Sequence, residues 1–271
     1  MQNSTQTLIR IFKAFVFWAV FQLLFFSGGF SFLFPMLPSW GIAIVMGSVI
    51  IAGTMLTTWV FLKFDELTWR DLGMLPNRSS WLKLIVSLLV GILFFGSFYV
   101  VYYLFTPITI MPVEGKNLLT SFILILLVFL ALGTMEEIAF RGYFLKKLAS
   151  AIGIRSAIYI TSIAFGFYHG LSFESVSGPA IWGLYYGVLA YWTKGLAIPI
   201  GFHVGVNVIQ GIFSEKTKWI EGIWMFDFVD KSSPFTIDQV TIALQLLLLV
   251  GGVLLVEYYL RVVQPKQKNL D

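Results

Sequence analysis

The chain contains no cysteine. That absence removes disulfides, thiolate catalysis and cysteine-ligated metal together, and with them prenylation or palmitoylation of the protein itself. Charge is the second scarcity: acidic and basic residues make up 12% of the 271 residues, against about 25% in an ordinary soluble domain. Hydrophobic residues reach 58% and mean hydropathy is +0.85. So few charges cannot cover a 30.6 kDa globule in water, which excludes a soluble enzyme, a disordered chain and a coiled coil. Lipid must be the main solvent. Histidine is also scarce, with two in the chain. The net charge of +4 and pI near 9.2 would point to nucleic acid only if the basic residues formed a patch. They mark the ends of apolar runs instead, so no nucleic-acid partner is expected.

What is abundant is apolar length. A membrane-spanning helix needs about 20 mostly apolar residues. Residues 14–62 carry no charge and are broken only around Pro35, Pro38, Ser39 and Gly41, which predicts two helices joined by a tight turn. A third is predicted within 84–113, ending near Thr106-Pro107, and a fourth from about Asn117. Three more are expected around 156–172, 178–193 and 196–213, and a last one over about 239–257. The expected fold is therefore all-α: a polytopic integral membrane protein of about eight transmembrane helices. The first apolar run is too long for a signal-peptide core and is kept as a true helix. With no internal repeat or linker, residues 1–271 form one expected membrane domain, its catalytic core at about 117–213. If both termini are cytoplasmic, the inner segments hold 13 Lys and Arg and the outer segments 4, with Arg141 set aside. This asymmetry obeys the positive-inside rule. The longest outer segment, 214–238, is rich in aromatics and is expected along the membrane interface.

One group of charges does not sit at a span end. Glu136 lies ten residues before Lys146, about 15 Å along a helix and so near the midplane of a bilayer core about 30 Å thick. A helix that stopped at Met135 would instead leave Glu136, Glu137 and Arg141 as a solvated boundary. Ionisable residues inside a membrane are expensive and read by default as functional. Glu137 and Arg141 are four apart and share a face, so they can pair. Glu136 points about 100° away, and a carboxylate in an apolar site is a candidate general base. A purely structural ion-pair network is the competing reading. Both histidines fall in spans at depths that bracket Glu136: His169 closes Phe165-Gly-Phe-Tyr-His, and His203 opens His-Val-Gly-Val-Asn207, the two ends of which share a helix face. Together they supply a base, a second proton carrier and hydrogen-bond donors, a hydrolytic constellation. Gly166/Gly170, Gly183/Gly187 and Gly201/Gly205 stand beside them at the spacing that lets membrane helices approach closely.

Glu136-Glu137-x-x-x-Arg141, Phe165-x-x-x-His169 and His203-x-x-x-Asn207, in that order and inside spans, resemble the CPBP family. These are the CAAX-protease and bacteriocin-processing (Abi) intramembrane proteases, with the Rce1-type prenyl-protein endopeptidases among them. The resemblance implies a glutamate-dependent intramembrane peptidase without cofactor. Glu136 with His169 would activate a water, His203 and Asn207 would stabilise the oxyanion, and Glu137 with Arg141 would hold the site in shape. A zinc site of Glu136, His169 and His203 is the alternative, set against the absence of a His-Glu-x-x-His helix and the loss of Glu136 as base.

The implied partners are a peptide or membrane-protein substrate and the lipid bilayer. A catalytically idle scaffold or bacteriocin-immunity protein of the same fold is the other reading. A transporter fits less well, since helices one to three hold almost no ionisable residue and the halves show no repeat. With no organellar-type presequence, the expected location is a bacterial plasma membrane. Neither the substrate nor the oligomeric state follows from the sequence.

Overall fold

A computed structural model describes residues 4–26, 36, 39–74, 77–115, 117–213, 222–228 and 233–263. Eight helices form among them: α1 (Ser4–Phe26), α2 (Ser39–Phe64), α3 (Arg78–Phe105), α4 (Leu118–Ile152), α5 (Ile154–His169), α6 (Phe173–Thr193), α7 (Ala197–Ile212) and α8 (Ile237–Tyr258). Their ends follow local chemistry. Asn77, Asn117, Ser172 and Thr236 cap α3, α4, α6 and α8, each side chain accepting a backbone N–H three residues on, which satisfies a donor with no intrahelical partner. Helix α3 stops before Pro107, which holds Thr106 in extended backbone. Helix α4 runs through Glu136 and Glu137 to Ile152, so the boundary at Met135 does not occur.

Five helices, α1–α4 and α8, contain stretches long and apolar enough to cross a membrane. The protein is thus a multi-pass membrane protein. Its outer helix faces are bare hydrocarbon: Leu23, Leu93 and Leu247 are 69%, 73% and 65% exposed. Helices α5 and α7 are only 16 residues each, about 24 Å. Helix α7 is buried continuously from Pro199 to Val208, enclosed by other helices rather than by lipid.

The tightest contact is between α3 and α7. A Cβ on Gly205 would lie 2.2 Å from the Leu88 carbonyl oxygen, and one on Gly201 2.1 Å from Ser87 Oγ. The reciprocal glycine on α3 is Gly91, whose Cβ would lie 2.3 Å from the Phe202 carbonyl. Only hydrogen fits at these three positions. The Gly201/Gly205 pair therefore serves α3, which carries none of the predicted site residues. Gly183 and Gly187 admit Ser162 and Ile158 of α5, and Gly166 admits Val176 and Ala180 of α6. Gly170 belongs to no helix face: it ends α5 at φ +154°, outside the range most side chains adopt.

The basic residues gather at one end. Asp65, just past α2, accepts from Lys13 of α1 at 2.6 Å and from Tyr143 and Lys147 of α4 at 2.7 and 2.5 Å. Burial pushes its carboxyl up, but these hydrogen bonds prevail and hold it below its ordinary value. Arg10 donates to the Ser150 carbonyl, and Arg155 of α5 pairs with Glu257 of α8. At the opposite end the predicted interfacial segment contains a strand. β2 (Trp224–Phe228) pairs antiparallel with β1 (Ile108–Pro112), Ile110 opposite Phe226. Phe226 stacks on Phe213 and on Tyr99. Residues 214–221 and 229–232 of that segment lie outside the described residues.

Candidate active site

Helix α4 departs from regular geometry where its charges lie. Ile138–Phe144 is π-helical, with the Leu145 N–H reaching back five residues to the Phe140 carbonyl. Such segments occur often at functional sites. The wider turn does not separate Glu137 from Arg141, whose Nη1 donates to Glu137 Oε1 at 3.3 Å with both side chains fully buried. Gly142, inside the π turn, leaves room for Leu72 and Leu196, 3.2 and 3.5 Å from the Cβ it lacks.

A second helix is brought against these charges by a small residue. Gly133, one turn before Glu137, lets α7 approach until a Cβ there would lie 3.0 Å from Val204 and 3.9 Å from His203. The His203 ring then stands between the two carboxylates. Nδ1 donates to Glu137 Oε1 at 2.8 Å, and Nε2 is 3.4 Å from Glu136 Oε2. With Nδ1 donating, the second contact needs one more proton, on the ring or on the carboxyl. The sequence reading paired Glu137 with Arg141 alone; in the structure one carboxylate oxygen takes both partners.

Aromatic rings enclose the charges. The Arg141 guanidinium carbon lies 4.3 Å from the Phe165 ring centre and 5.1 Å from Tyr186, within cation–π range. Its Nη2 donates to the Gly183 carbonyl at 3.3 Å. The imidazole of His203 stacks on Tyr186 at 4.4 Å and 17°, and Phe165 meets it edge-on at 5.8 Å.

Of the predicted residues, Glu136, Glu137, Arg141 and His203 are thus in direct contact. Asn207 is buried one turn further along α7. His169 is the last residue of α5 and half-buried; its Nδ1 donates to the Phe165 carbonyl at 2.9 Å, and its ring meets Phe165 at 4.7 Å. It thus joins the cluster through Phe165, which touches both Arg141 and His203. Tyr186 of α6 was not anticipated, and Gly183 was expected only as a packing residue, not as the acceptor of a hydrogen bond from Arg141. Their sequence signal is slight: a glycine and an aromatic three apart on a helix rich in both.

Of the three residues of the zinc alternative, Glu136 and His203 face each other, while His169 reaches the cluster through Phe165. His203 turns both ring nitrogens to carboxylates, and among the described residues no three His, Asp or Glu side chains are grouped to hold a metal. A cavity of about 450 Å³ opens at the basic end, with Asp71, Lys146 and Lys194 at its wall and Arg141 among the residues lining it.

Fold and site together define a class: a helical membrane protein with a carboxylate–imidazole–guanidinium cluster enclosed by helices α4–α7. Residues 118–209, which span those helices, match the family model for Rce1-like type II CAAX prenyl endopeptidases. The match covers about the middle third of the chain. Neither a curated protein nor a solved structure matches the chain.

Proposed function

We propose that the protein is an intramembrane endopeptidase that hydrolyses a peptide bond with a water activated by Glu136. The observation that carries this reading is the His203 ring, buried between Glu136 and Glu137 in the segment that matches the endopeptidase family. Glu136, assisted by His169, takes a proton from water as the oxygen attacks the scissile carbonyl carbon. The oxyanion that forms is met by N–H donors from His203 and Asn207, and Glu136 then passes its proton to the departing amine nitrogen. Donors fixed in a low-dielectric site are effective because they need not reorganise. Glu137 accepts from His203 Nδ1 and fixes the ring's direction. Arg141, tied to Glu137 and to the Gly183 carbonyl, fixes Glu137. The water comes through the cavity at the basic end.

In the same proposal all eight helices of this single domain cross or line the membrane. Both termini and the Asp65 cluster face the cytoplasm, and the membrane is a bacterial plasma membrane. The gathering of lysines and arginines at one end supports that orientation. Accessibility of terminal tags in sealed vesicles tests it.

The decisive experiment uses purified protein in nanodiscs with a quenched-peptide library. Wild type is compared with Glu136→Gln, His169→Ala and His203→Ala, with and without chelator. Cleavage that Glu136→Gln abolishes and chelator leaves unchanged is expected. Chelator-sensitive cleavage overturns the metal-free mechanism. A folded wild type that cuts nothing across the library gives way to the scaffold or immunity reading.

A further inference from the structure

A second cavity, of about 490 Å³, lies under the paired strands β1 and β2, between α3, α6 and α8. That size is in the range of sites that bind organic ligands. Its walls are mostly aromatic and aliphatic, with Phe98, Tyr99, Trp182 and Leu248 among them. Two side chains contradict that character. Gln210 of α7 and Gln245 of α8 both line the cavity. Gln245 is exposed, about 12 Å into α8, where a carboxamide facing hydrocarbon is costly. The Gln210 side-chain carbonyl oxygen is buried with no hydrogen-bond partner among the described residues, and a buried polar atom of that kind calls for an explanation.

A carboxamide carries the donor and acceptor of a peptide group. Two of them in an apolar cavity complement an extended polypeptide backbone, which must satisfy its own N–H and C=O groups away from water. An isoprenoid or acyl chain would leave both unpaired. The cavity is also joined to the site. Trp182 stacks on Tyr186 at 6.1 Å and 18°, and Tyr186 stacks on His203. His203, Asn207 and Gln210 follow one another on one face of α7, with Gln210 about 10 Å along the axis from His203. An extended chain covers that distance in about three residues. The wall of the cavity at Gln245 is exposed, which gives such a chain a way in from the bilayer beside the Tyr102–Thr241 hydrogen bond that joins α3 to α8.

We propose that this cavity receives the apolar side chains of an extended segment of a membrane-embedded polypeptide substrate, about three residues from the scissile bond, with Gln210 and Gln245 pairing with its backbone. The proposal rests on the peptidase reading and names its substrate class.

The test uses the full chain carrying Glu136→Gln in nanodiscs. The probe is a synthetic 20-residue apolar peptide with one central benzoylphenylalanine. Photo-crosslinks are expected on Trp182, Leu244 or Leu248, mapped by mass spectrometry. Adding Gln210→Leu and Gln245→Leu should weaken peptide binding about tenfold for each lost hydrogen bond and leave binding of a farnesyl-chain probe undiminished. Crosslinks confined to other helices, an affinity indifferent to both glutamines, or capture of the farnesyl probe in place of the peptide would each overturn the proposal. The crosslink map needs neither glutamine variant, so misfolding of those variants cannot mask the answer. Glu136-dependent cleavage without crosslinks in the cavity removes this proposal and leaves the peptidase reading. Peptide captured in the cavity by a wild type that cuts nothing removes the peptidase reading and keeps the binding site.

Discussion

Replacing Arg141 with Met separates what the buried charges contribute to stability from what they contribute to chemistry. Both side chains of the Glu137–Arg141 pair are fully buried, and removing one partner of such a pair costs about 3–5 kcal/mol because the other is stranded. Two features set the expected value near the low end, about 3 kcal/mol. His203 stays on the same Glu137 oxygen at 2.8 Å, and a Met thioether packs well against Phe165 and Tyr186. The Gly183 carbonyl loses its donor, adding about 1 kcal/mol.

The paired variant Glu137→Gln/Arg141→Met carries neither charge. It should regain most of the loss and come within about 1 kcal/mol of wild type, since replacing both partners of a buried ion pair is often close to neutral. Activity should not follow. The carboxamide that replaces the Glu137 carboxylate still accepts from His203 Nδ1, but no negative charge steadies the ring as the oxyanion forms, and losing such support costs about 100-fold or more. Stability is read by denaturant titration in detergent, and activity by cleavage rate at saturating peptide. A paired variant no more stable than Arg141→Met alone would refute the reasoning, as would an Arg141→Met loss below about 0.5 kcal/mol.

Gly205→Val should disrupt the α3–α7 contact, because its Cβ meets backbone at 2.2 Å; a loss of about 3 kcal/mol or more is expected by thermal shift. Gly96→Ala on the same α3 is the control: its Cβ has nothing nearer than Ile209 at 4.0 Å, and it should stabilise by about 0.5–1 kcal/mol. Asp65→Asn should cost about 1–2 kcal/mol at neutral pH, between an exposed and a fully buried pair. The Asp65 carboxyl is held below its ordinary value in the folded state, so its contribution is complete above the unfolded value near 4 and is lost as pH falls through the folded one. Wild type should therefore lose its advantage over Asp65→Asn below about pH 4; a constant gap down to pH 2 would contradict the assignment. Tyr186→Phe keeps the ring under His203 and should retain activity, whereas Tyr186→Leu should lower kcat with little change in KM. Equal losses in the two variants would remove the stacking argument.

What was legible in the sequence is what one helix can state about itself. Thr106-Pro107 marked the end of α3 and Asn117 the start of α4, because proline and capping residues act within one turn. The burial of Glu136 inside a continuous helix followed from the apolar run around it, and the Glu137–Arg141 pair from its spacing. What was not legible depends on neighbours far away in the chain. Gly201 and Gly205 were visible as a small-residue face, but not that the partner would be Gly91 on α3. The strand at 224–228 gave no alternation of its own and exists by pairing with 108–112. The π turn has no residue signature, since it changes which carbonyl an N–H finds and not which side chains are present. That His203 would lie level with Glu136 followed from counting along the two helices, but which side of its ring would meet Glu137 depends on the close approach that Gly133 permits.

The shortness of α5 and α7 follows from the same arrangement. A guanidinium, an imidazole and two carboxylates facing lipid would be prohibitive, so the helix segments that carry them must be surrounded by protein. Helix α7 is enclosed by α3, α4 and α6 and needs no apolar surface matched to the bilayer, which frees its length and composition for His203, Asn207 and Gln210. The long apolar helices α1, α2, α3 and α8 meet the lipid instead. The glycines on α3 and α7 draw that outer layer close enough that the buried charges meet aromatic rings and one another. Loosening the α3–α7 contact should then weaken the site before the protein unfolds. Gly201→Ala adds the smallest side chain this contact can be given, set against Ser87 Oγ at 2.1 Å and the Leu84 carbonyl at 2.2 Å, and contacts none of the site residues. In nanodiscs below its unfolding transition it should lower kcat, and pairing it with Ser87→Gly, which removes the hydroxyl in its way, should restore part of the loss. If Gly201→Ala lowers stability and leaves kcat at the wild-type value, the outer layer holds the fold together but does not set the geometry of the site.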